Sequence, residues 1–339
     1  MTARIGIDLG GTKISGVVLG ADDAVLTRLR LPTPRNDYVA TLAAISEAVA
    51  ALERGAGLAA GDVPVGIGTP GAWHPRLGAM KNCNSTWLND RPLLTDLEER
   101  LGARARLAND ADCLALSEAA DGAAAGASSV FGVILGTGVG GGLVANGGLV
   151  RGPNGLTGEW GHQPLPYFRA RVFVRDGDPA EQRRFQLESA LNDRSCYCGR
   201  RNCIETFLSG HGLQTTHLAL WGEPRSSEDV AGADDAHARS TMALYRHMLA
   251  RSLAQVVNVV DPAVLVLGGG LSNVPDLAED LAAAIPAFAF WSLQDDATGM
   301  MGTGIRVAVR RARWGDDSGV RGAARLWSAT NRTVGTKVT

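Results

Sequence analysis

The apolar positions of this chain change period repeatedly. Residues 4–9, 14–19 and 24–31 read as three strands, the first two joined through Gly10-Gly11-Thr12 as a hairpin. Leu42, Ile45, Val49 and Leu52 then recur every three or four residues, the stripe of an amphipathic helix that Gly55 and Gly57 can stop. Residues 63–67 read as a buried strand ending in Gly68-Thr69-Pro70-Gly71. Pro92 suits the first turn of a helix carrying Leu93, Leu94, Leu97 and Leu101. A short strand over 105–107 runs into Asn109-Asp110, after which an alanine-rich helix extends to about residue 125.

The opening pattern then repeats. With the chain shifted along itself, Gly6, Gly10 and Gly16 fall on Gly132, Gly136 and Gly142. Ile5, Ile7, Leu9, Val17 and Val18 fall on Phe131, Val133, Leu135, Leu143 and Val144. We read this as a duplication: two similar α/β lobes, each offering a glycine-rich hairpin to one ligand. Helices are predicted over 205–218 and 234–257, and a strand over 264–267 before Gly268-Gly269-Gly270. A last helix starts near Ser318 and holds Val320, Ala323, Ala324 and Trp327. The charged stretch 168–194 reads as an exposed insertion, and the tail after Thr330 as disordered.

Composition narrows the function. The 43 glycines in 339 residues are close to twice ordinary usage, yet no G-X-Y period runs through the chain. A 45% hydrophobic content excludes low-complexity disorder. The net charge of −2 argues against binding nucleic acid through its phosphates. No apolar run reaches the ~18 residues of a membrane span. Met1-Thr2-Ala3-Arg4 leads straight into a strand, which leaves no room for a signal peptide, so a cytoplasmic location is expected. Five cysteines, three of them at 196, 198 and 203, fit intracellular metal binding better than a disulfide framework.

Three motifs carry chemistry. In Asp8-Leu9-Gly10-Gly11-Thr12-Lys13 the glycines let backbone N–H groups approach phosphate oxygens. Asp8 is placed to hold Mg²⁺ through water, and Thr12 and Lys13 to donate to phosphate. No Walker loop occurs. The repeat at Gly136-Thr137-Gly138-Val139-Gly140-Gly141-Gly142 supplies a second candidate phosphate turn. In Asn109-Asp110-Ala111-Asp112, Asp110 reads either as a helix cap or as the general base that phosphoryl transfer to a hydroxyl requires, with Asp112 the competing carboxylate. The third motif, Cys196-Tyr197-Cys198 with Cys203, needs one imidazole to complete a closed, structural Cys₃His zinc site. His162 is preferred and His211 is its rival; one disulfide with a spare thiol is the other arrangement. Cys83 and Cys113 read as buried small residues.

Together these residues resemble the ROK family of sugar kinases, in the actin-like ATPase superfamily. The resemblance rests on DLGGTK at 8–13, on Glu159 to His162, and on the cysteine run ending at Glu205, and it extends from Ile5 to about Trp327. It implies an α/β, two-lobed, ribonuclease H-like duplication with a cleft between lobes. The small lobe would span 1–117, with the helix at about 316–330 packing back on it, and the large lobe 118–315, followed by a tail over 331–339. It implies Asp110 as catalytic base, and Gly71, Asn84, Asn109, Glu159, His162 and Glu205 as sugar ligands. His162 would also serve the zinc. Gly268, Gly269, Gly270 and Gly322 match the region around adenosine. The family usually has glycine where this chain has Asn202, a residue type that tolerates the left-handed backbone.

Thr69-Pro70-Gly71, residues 82–89 and residues 315–322 look most like bacterial fructokinases of the family. The expected activity is therefore ATP- and Mg²⁺-dependent phosphorylation of the 6-hydroxyl of fructose. An N-acetylglucosamine or N-acetylmannosamine kinase is the alternative, with glucokinase beside it. Relatives are usually dimers, so a homodimer is expected. Some relatives are sugar-sensing repressors with a helix-turn-helix ahead of the first glycine loop; here seven residues precede Asp8.

Overall fold

A computed structural model of the chain describes residues 3–166, 193–290 and 306–327. The charged stretch, save its last two residues, and the tail lie outside these. By internal contacts the chain divides into two compact units. One comprises Met1–Gly132, Gly141–Gly158 and Ala312–Thr339; the other comprises Val133–Gly140 and Glu159–Arg311.

The first unit is built on a five-stranded sheet. Strands β1 (Arg4–Leu9), β2 (Lys13–Leu19) and β3 (Val25–Pro32) form an antiparallel meander, with Asp8 opposite Ser15 in register. Helix α1 (Tyr38–Gly55) starts where Asp37 accepts a hydrogen bond from the N–H of Ala40. Its Leu42, Ile45, Val49 and Leu52 are buried, and they join Ile5, Ile7, Ile14 and Ile67 in one core cluster. Strand β4 (Val65–Thr69) pairs parallel with β1. A separate small hairpin, β5 (Ala72–His74) with β6 (Ala79–Lys81), follows. Helix α2 (Leu93–Leu101) buries Leu93 and Leu97. Strand β7 (Ala105–Asn109) then runs parallel to β4 and passes directly into α3 (Asp110–Ala120). The sheet order is β3-β2-β1-β4-β7.

The second sheet repeats this plan. Strands β8 (Ser129–Leu135), β9 (Val139–Ala145) and β10 (Gly148–Leu149) lead to helices α4 (Glu205–Leu208), α5 (Gly210–Trp221), α6 (Ser227–Gly232) and α7 (Ala236–Val260). Strand β11 (Val264–Gly268), helix α8 (Leu277–Ala284) and strand β12 (Val309–Arg311) complete it. The order β10-β9-β8-β11-β12 matches the first sheet: three strands in reverse chain order, then two later ones. Helix α9 (Asp317–Ala324) packs on β1, β4 and α3 within the first unit.

Several elements differ from the expected ones. The helix expected over 205–218 is two helices, because Ser209 is extended and its Oγ caps α5 by accepting from the N–H of Gly212. The alanine-rich helix stops at Ala120, where Asp121 takes a non-helical backbone. The unit division falls inside the β8–β9 hairpin, whereas the sequence placed it after residue 117. Gly132 and Gly142 lie against α3: a Cβ on them would stand 2.9 Å from the Ala115 Cβ and 2.4 Å from the Ala111 carbonyl oxygen.

Candidate active site

In the first unit the Gly10–Lys13 turn is held from behind. The Gly10 N–H donates to the Lys13 carbonyl (3.0 Å), and Thr33 donates its hydroxyl to the Gly10 carbonyl (2.8 Å) and its N–H to the Thr12 carbonyl (3.0 Å). Thr12 itself is exposed. Asp8, half-buried at the end of β1, has its pKa raised to about 6. Burial is the main cause; the charges of Asp110 and Asp316 add to it, and Lys13 opposes them. The Lys13 ammonium lies 3.5 Å from the Asp316 carboxylate. Mutually repelling carboxylates, only partly offset by Lys13, are the hard-oxygen donor set that Mg²⁺ takes together with water.

The cap of α3 is Asn109, not Asp110. Asn109 Oδ1 accepts from the Asp112 N–H at 2.6 Å. Asp110 is therefore released from cap duty and sits in the first turn, its Oδ1 accepting from the Ala111 N–H at 2.8 Å. Its side chain is exposed, and desolvation by the surrounding chain raises its pKa against the pull of the Ala111 N–H. Asp112 is turned inward, only 9% exposed, with the Arg151 guanidinium 3.8 Å away. Burial raises it to about 6, and Arg151 opposes the shift. Of the two carboxylates, Asp110 is the more exposed.

Gly71 lies where backbones meet, since a Cβ there would stand 2.5 Å from the Cys83 sulfur and 2.7 Å from the Lys81 carbonyl oxygen. Asn84 is exposed on the neighbouring loop, its N–H donating to the Pro70 carbonyl (3.2 Å). Asn89 clamps that loop through both backbone groups of Cys83. A small cavity of about 100 Å³ beside Asn109 is lined by Trp73, Asp112, Arg151 and Thr157. Trp73 and Arg151 carried no sequence signal, since neither belongs to a motif.

In the second unit, the turn between β8 and β9 is closed by the Gly136 N–H on the Gly138 carbonyl (3.0 Å), and the Gly136 carbonyl accepts from the Gly210 N–H (2.8 Å). Gly136 and Thr137 open onto a cavity of about 750 Å³ lined also by His211, Gln214, Glu228 and Gly270. His211 thus faces this cavity. Gly268 ends β11, and Gly269, at φ +83°, folds against Leu135. Gly322 packs on α3: its Cβ would stand 1.7 Å from the Cys113 carbonyl oxygen. The stretch from 132 to 161 is dense in glycine for a reason besides ligand approach. Gly140 accepts from the Trp160 indole N–H (2.9 Å), and a Cβ on Gly158 or Gly161 would meet the carbonyl oxygen of Gly141 or Val139 at 2.0 or 2.1 Å. Much of that glycine serves backbone packing.

Glu205 ties the turn to the cysteine loop. Its Oε2 accepts from the Val139 N–H at 2.9 Å. His162, Cys196, Cys198 and Cys203 each offer an atom, and these atoms lie within 4.8 Å of one another. His162 Nδ1 is 3.5 Å from the Cys196 sulfur, and the Cys198 and Cys203 sulfurs are 3.6 Å apart. Ligands at zinc bond lengths of ~2.3 Å around a tetrahedron stand at about this spacing, so the four fit zinc. Cys203 is pushed up to about 12 by burial and by its hydrogen-bonded neighbour thiols. Thiols this close cannot all ionise without a cation. Asn202, at φ +58°, adopts the left-handed backbone that the loop requires.

Among the described residues no helix is long and apolar enough to cross a membrane. The model of the ROK family matches residues 4–330. An N-acetyl-D-glucosamine kinase of Escherichia coli O127:H6 is 37% identical over 324 residues, covering 95% of this chain and 98% of that protein. The crystal structure of a ROK hexokinase from Thermus thermophilus matches with a TM-score of 0.75 and 30% identity, covering 95% of this chain and 97% of that one. A ROK glucokinase from Streptomyces griseus, solved with glucose and AMPPNP, shares the fold at a TM-score of 0.69 and 24% identity, over 96% and 98% of the two chains. The fold is accordingly the duplicated, two-lobed actin-like ATPase architecture, and the chain belongs to the ROK family.

Proposed function

We propose that the protein is an ATP- and Mg²⁺-dependent sugar kinase whose substrate is an N-acetylhexosamine, N-acetylglucosamine first. The observation that carries the chemistry is Asp110: a solvent-open carboxylate in the first turn of α3, freed from capping by Asn109. The observation that carries the substrate class is the 37% identity to an N-acetyl-D-glucosamine kinase across nearly the whole of both chains. It reverses the ranking read from Thr69-Pro70-Gly71, residues 82–89 and residues 315–322, which placed fructose first. Fructose stays as the second reading on those segments alone.

In this reading Asp110 accepts the proton of the sugar 6-hydroxyl as that oxygen attacks the γ-phosphorus of ATP. The bond from phosphorus to the bridging oxygen breaks, ADP leaves, and the proton passes from Asp110 to solvent. Mg²⁺, when bound near Asp8, neutralises charge on the phosphates. The 10–13 and 136–141 turns offer backbone N–H groups and Lys13 to phosphate oxygens. Gly71, Asn84, Asn109, Glu159, His162 and Glu205 orient the sugar. His162, Cys196, Cys198 and Cys203 would hold zinc, and the bound ion would fix the loop that carries sugar ligands.

The test is a panel of sugars in a coupled ADP-release assay, run on wild type and Asp110→Asn. N-acetylglucosamine should give the highest kcat/KM, and Asp110→Asn should lower kcat by at least about 100-fold with sugar binding retained. The wild-type kcat/KM should fall as pH drops through the raised pKa of Asp110, above the usual carboxylate range. A preference for fructose would restore the second reading, and near wild-type kcat in the variant would remove Asp110 as base.

A further inference from the structure

Tyr197 stands in sequence between two of the thiols. It is 61% exposed, and its hydroxyl lies 3.0 Å from His162 Nε2. The two rings meet edge to face with centroids 5.1 Å apart. His162 Nδ1 faces the Cys196 sulfur, so Nε2 is the nitrogen turned toward the phenol. Glu159 Oε2 is 3.9 Å from the same Nε2. Tyr197 and Glu205 also line a cavity of about 240 Å³ with Thr137 and His211. The phenol therefore shares one surface of the second unit with three residues proposed to hold the sugar.

The hydrogen-bonding inventory of that surface is unbalanced. Glu159 and Glu205 are carboxylates, which only accept; they suit hydroxyls and an amide N–H. One Glu205 oxygen is already taken by the Val139 N–H. An acetamido carbonyl only accepts, so neither glutamate can hold it. Donors on this surface include the Thr137 hydroxyl and His211 ring on the cavity wall, and, beside Glu159, His162 Nε2–H and the Tyr197 hydroxyl. When Nε2–H donates to the phenolic oxygen, the O–H is left free to donate onward, and His162, with Nδ1 given to the metal site, stands beside the sugar with its ring and no hydrogen bond of its own to it. Arg194, which also lines the cavity, is committed to the Thr206 and Gly212 carbonyls and to Thr216 Oγ1.

We propose that Tyr197 reads the acetamido group, donating its hydroxyl hydrogen to the acetamido carbonyl oxygen while its own oxygen accepts from His162. This deepens the N-acetylhexosamine reading and rests on it. Glucose and N-acetylglucosamine make the matching probe pair, since they differ only in the group at C2. In the full-length protein, Tyr197→Phe should lower the ratio of kcat/KM for N-acetylglucosamine over glucose about tenfold, the worth of one hydrogen bond of ~1.4 kcal/mol. The change should sit in KM. Calorimetric titration of each sugar without nucleotide should show the same ratio falling, and zinc content should match wild type.

Equal losses on both sugars would assign Tyr197 to orienting His162 alone and overturn the proposal. An unchanged ratio would overturn it too. A wild type that prefers glucose or fructose over N-acetylglucosamine is a different failure. It is visible before any variant is made, and it removes the substrate reading on which the proposal stands.

Discussion

Asn202 shows how one residue can replace a family glycine and add to its job. Its backbone, at φ +58°, is one a glycine adopts freely. Its side chain does what glycine cannot: Oδ1 accepts from the N–H groups of Asp193 and Arg194, both at 2.8 Å. Its own N–H donates to the Arg194 carbonyl, and its carbonyl accepts from the Leu165 N–H, each at 2.8 Å. The residue before Cys203 thus closes the base of the thiol loop. Asn202→Gly should keep the fold and speed zinc transfer to a chromogenic chelator several-fold, as two partly exposed hydrogen bonds worth up to ~1 kcal/mol each are lost. Asn202→Ala should be worse, because it adds left-handed strain of ~1 kcal/mol. Equal release rates in all three proteins would show the clamp to be idle. At this scale the sequence was readable where chemistry constrains spacing, as in the thiols and the glycine turns. Asp110 against Asp112 was not readable, because the choice depends on which way a helix's first turn faces. His211 was a rival zinc ligand for the same reason: it is close in sequence, but α5 turns it to the 750 Å³ cavity.

At the scale of elements, the glycine excess has a second cause besides ligand approach. Helix α9 lies so close to the first sheet that a Cβ at Gly66 would stand 1.8 Å from the Ala323 carbonyl oxygen, and one at Gly6 would stand 2.1 Å from that of Val320. Backbone atoms cannot step aside as a side-chain tip can. Gly66→Ala should therefore destabilise the protein by ~2–3 kcal/mol or more, read from the urea midpoint, by pushing α9 off β4. Gly57→Ala makes the contrast: nothing lies within 4 Å of its Cβ, and only its φ of +66° is strained, so it should cost ~1 kcal/mol. Similar losses in both would contradict the packing argument. Strong periodicity made β1, β2, α1 and the β8–β9 hairpin legible. Short elements escaped: α6 has six residues, β12 has three, and β5 and β6 are a separate three-residue pair. A window that short holds too few apolar positions to show a period. The break at Ser209 escaped because serine serves equally inside a helix and as its cap, and only the bond from Gly212 N–H decides.

For the whole molecule, the acidic groups divide by the sign of their effect on stability. Asp235 is held near 2, first by the Ala238 N–H and then by Arg225. Burial raises Asp121, but Arg321 and Arg325 outweigh it and leave it lowered. Such groups stabilise the fold above the unfolded carboxylate pKa of about 4, and that contribution is lost as pH falls through their folded values. Asp8 and Asp112 do the opposite. Both rise to about 6, so the folded state holds protons that the unfolded state releases, and their contribution declines as pH climbs from about 4 to about 6. His217 and His247, lowered mainly by burial, tilt part of the same window the other way. Net stability is therefore a poor readout, and the difference between wild type and Asp112→Asn is a good one. The amide keeps the shape and cannot ionise in its buried place. Relative to wild type, Asp112→Asn should gain stability steadily between pH 4 and 6.5, by up to ~3 kcal/mol for a shift of about two pKa units. Urea unfolding at half-unit pH steps, in chelator so that no cation sits near Asp8, measures it. A difference that stays constant with pH would mean that Arg151, 3.8 Å from Asp112, already offsets the burial of this carboxylate.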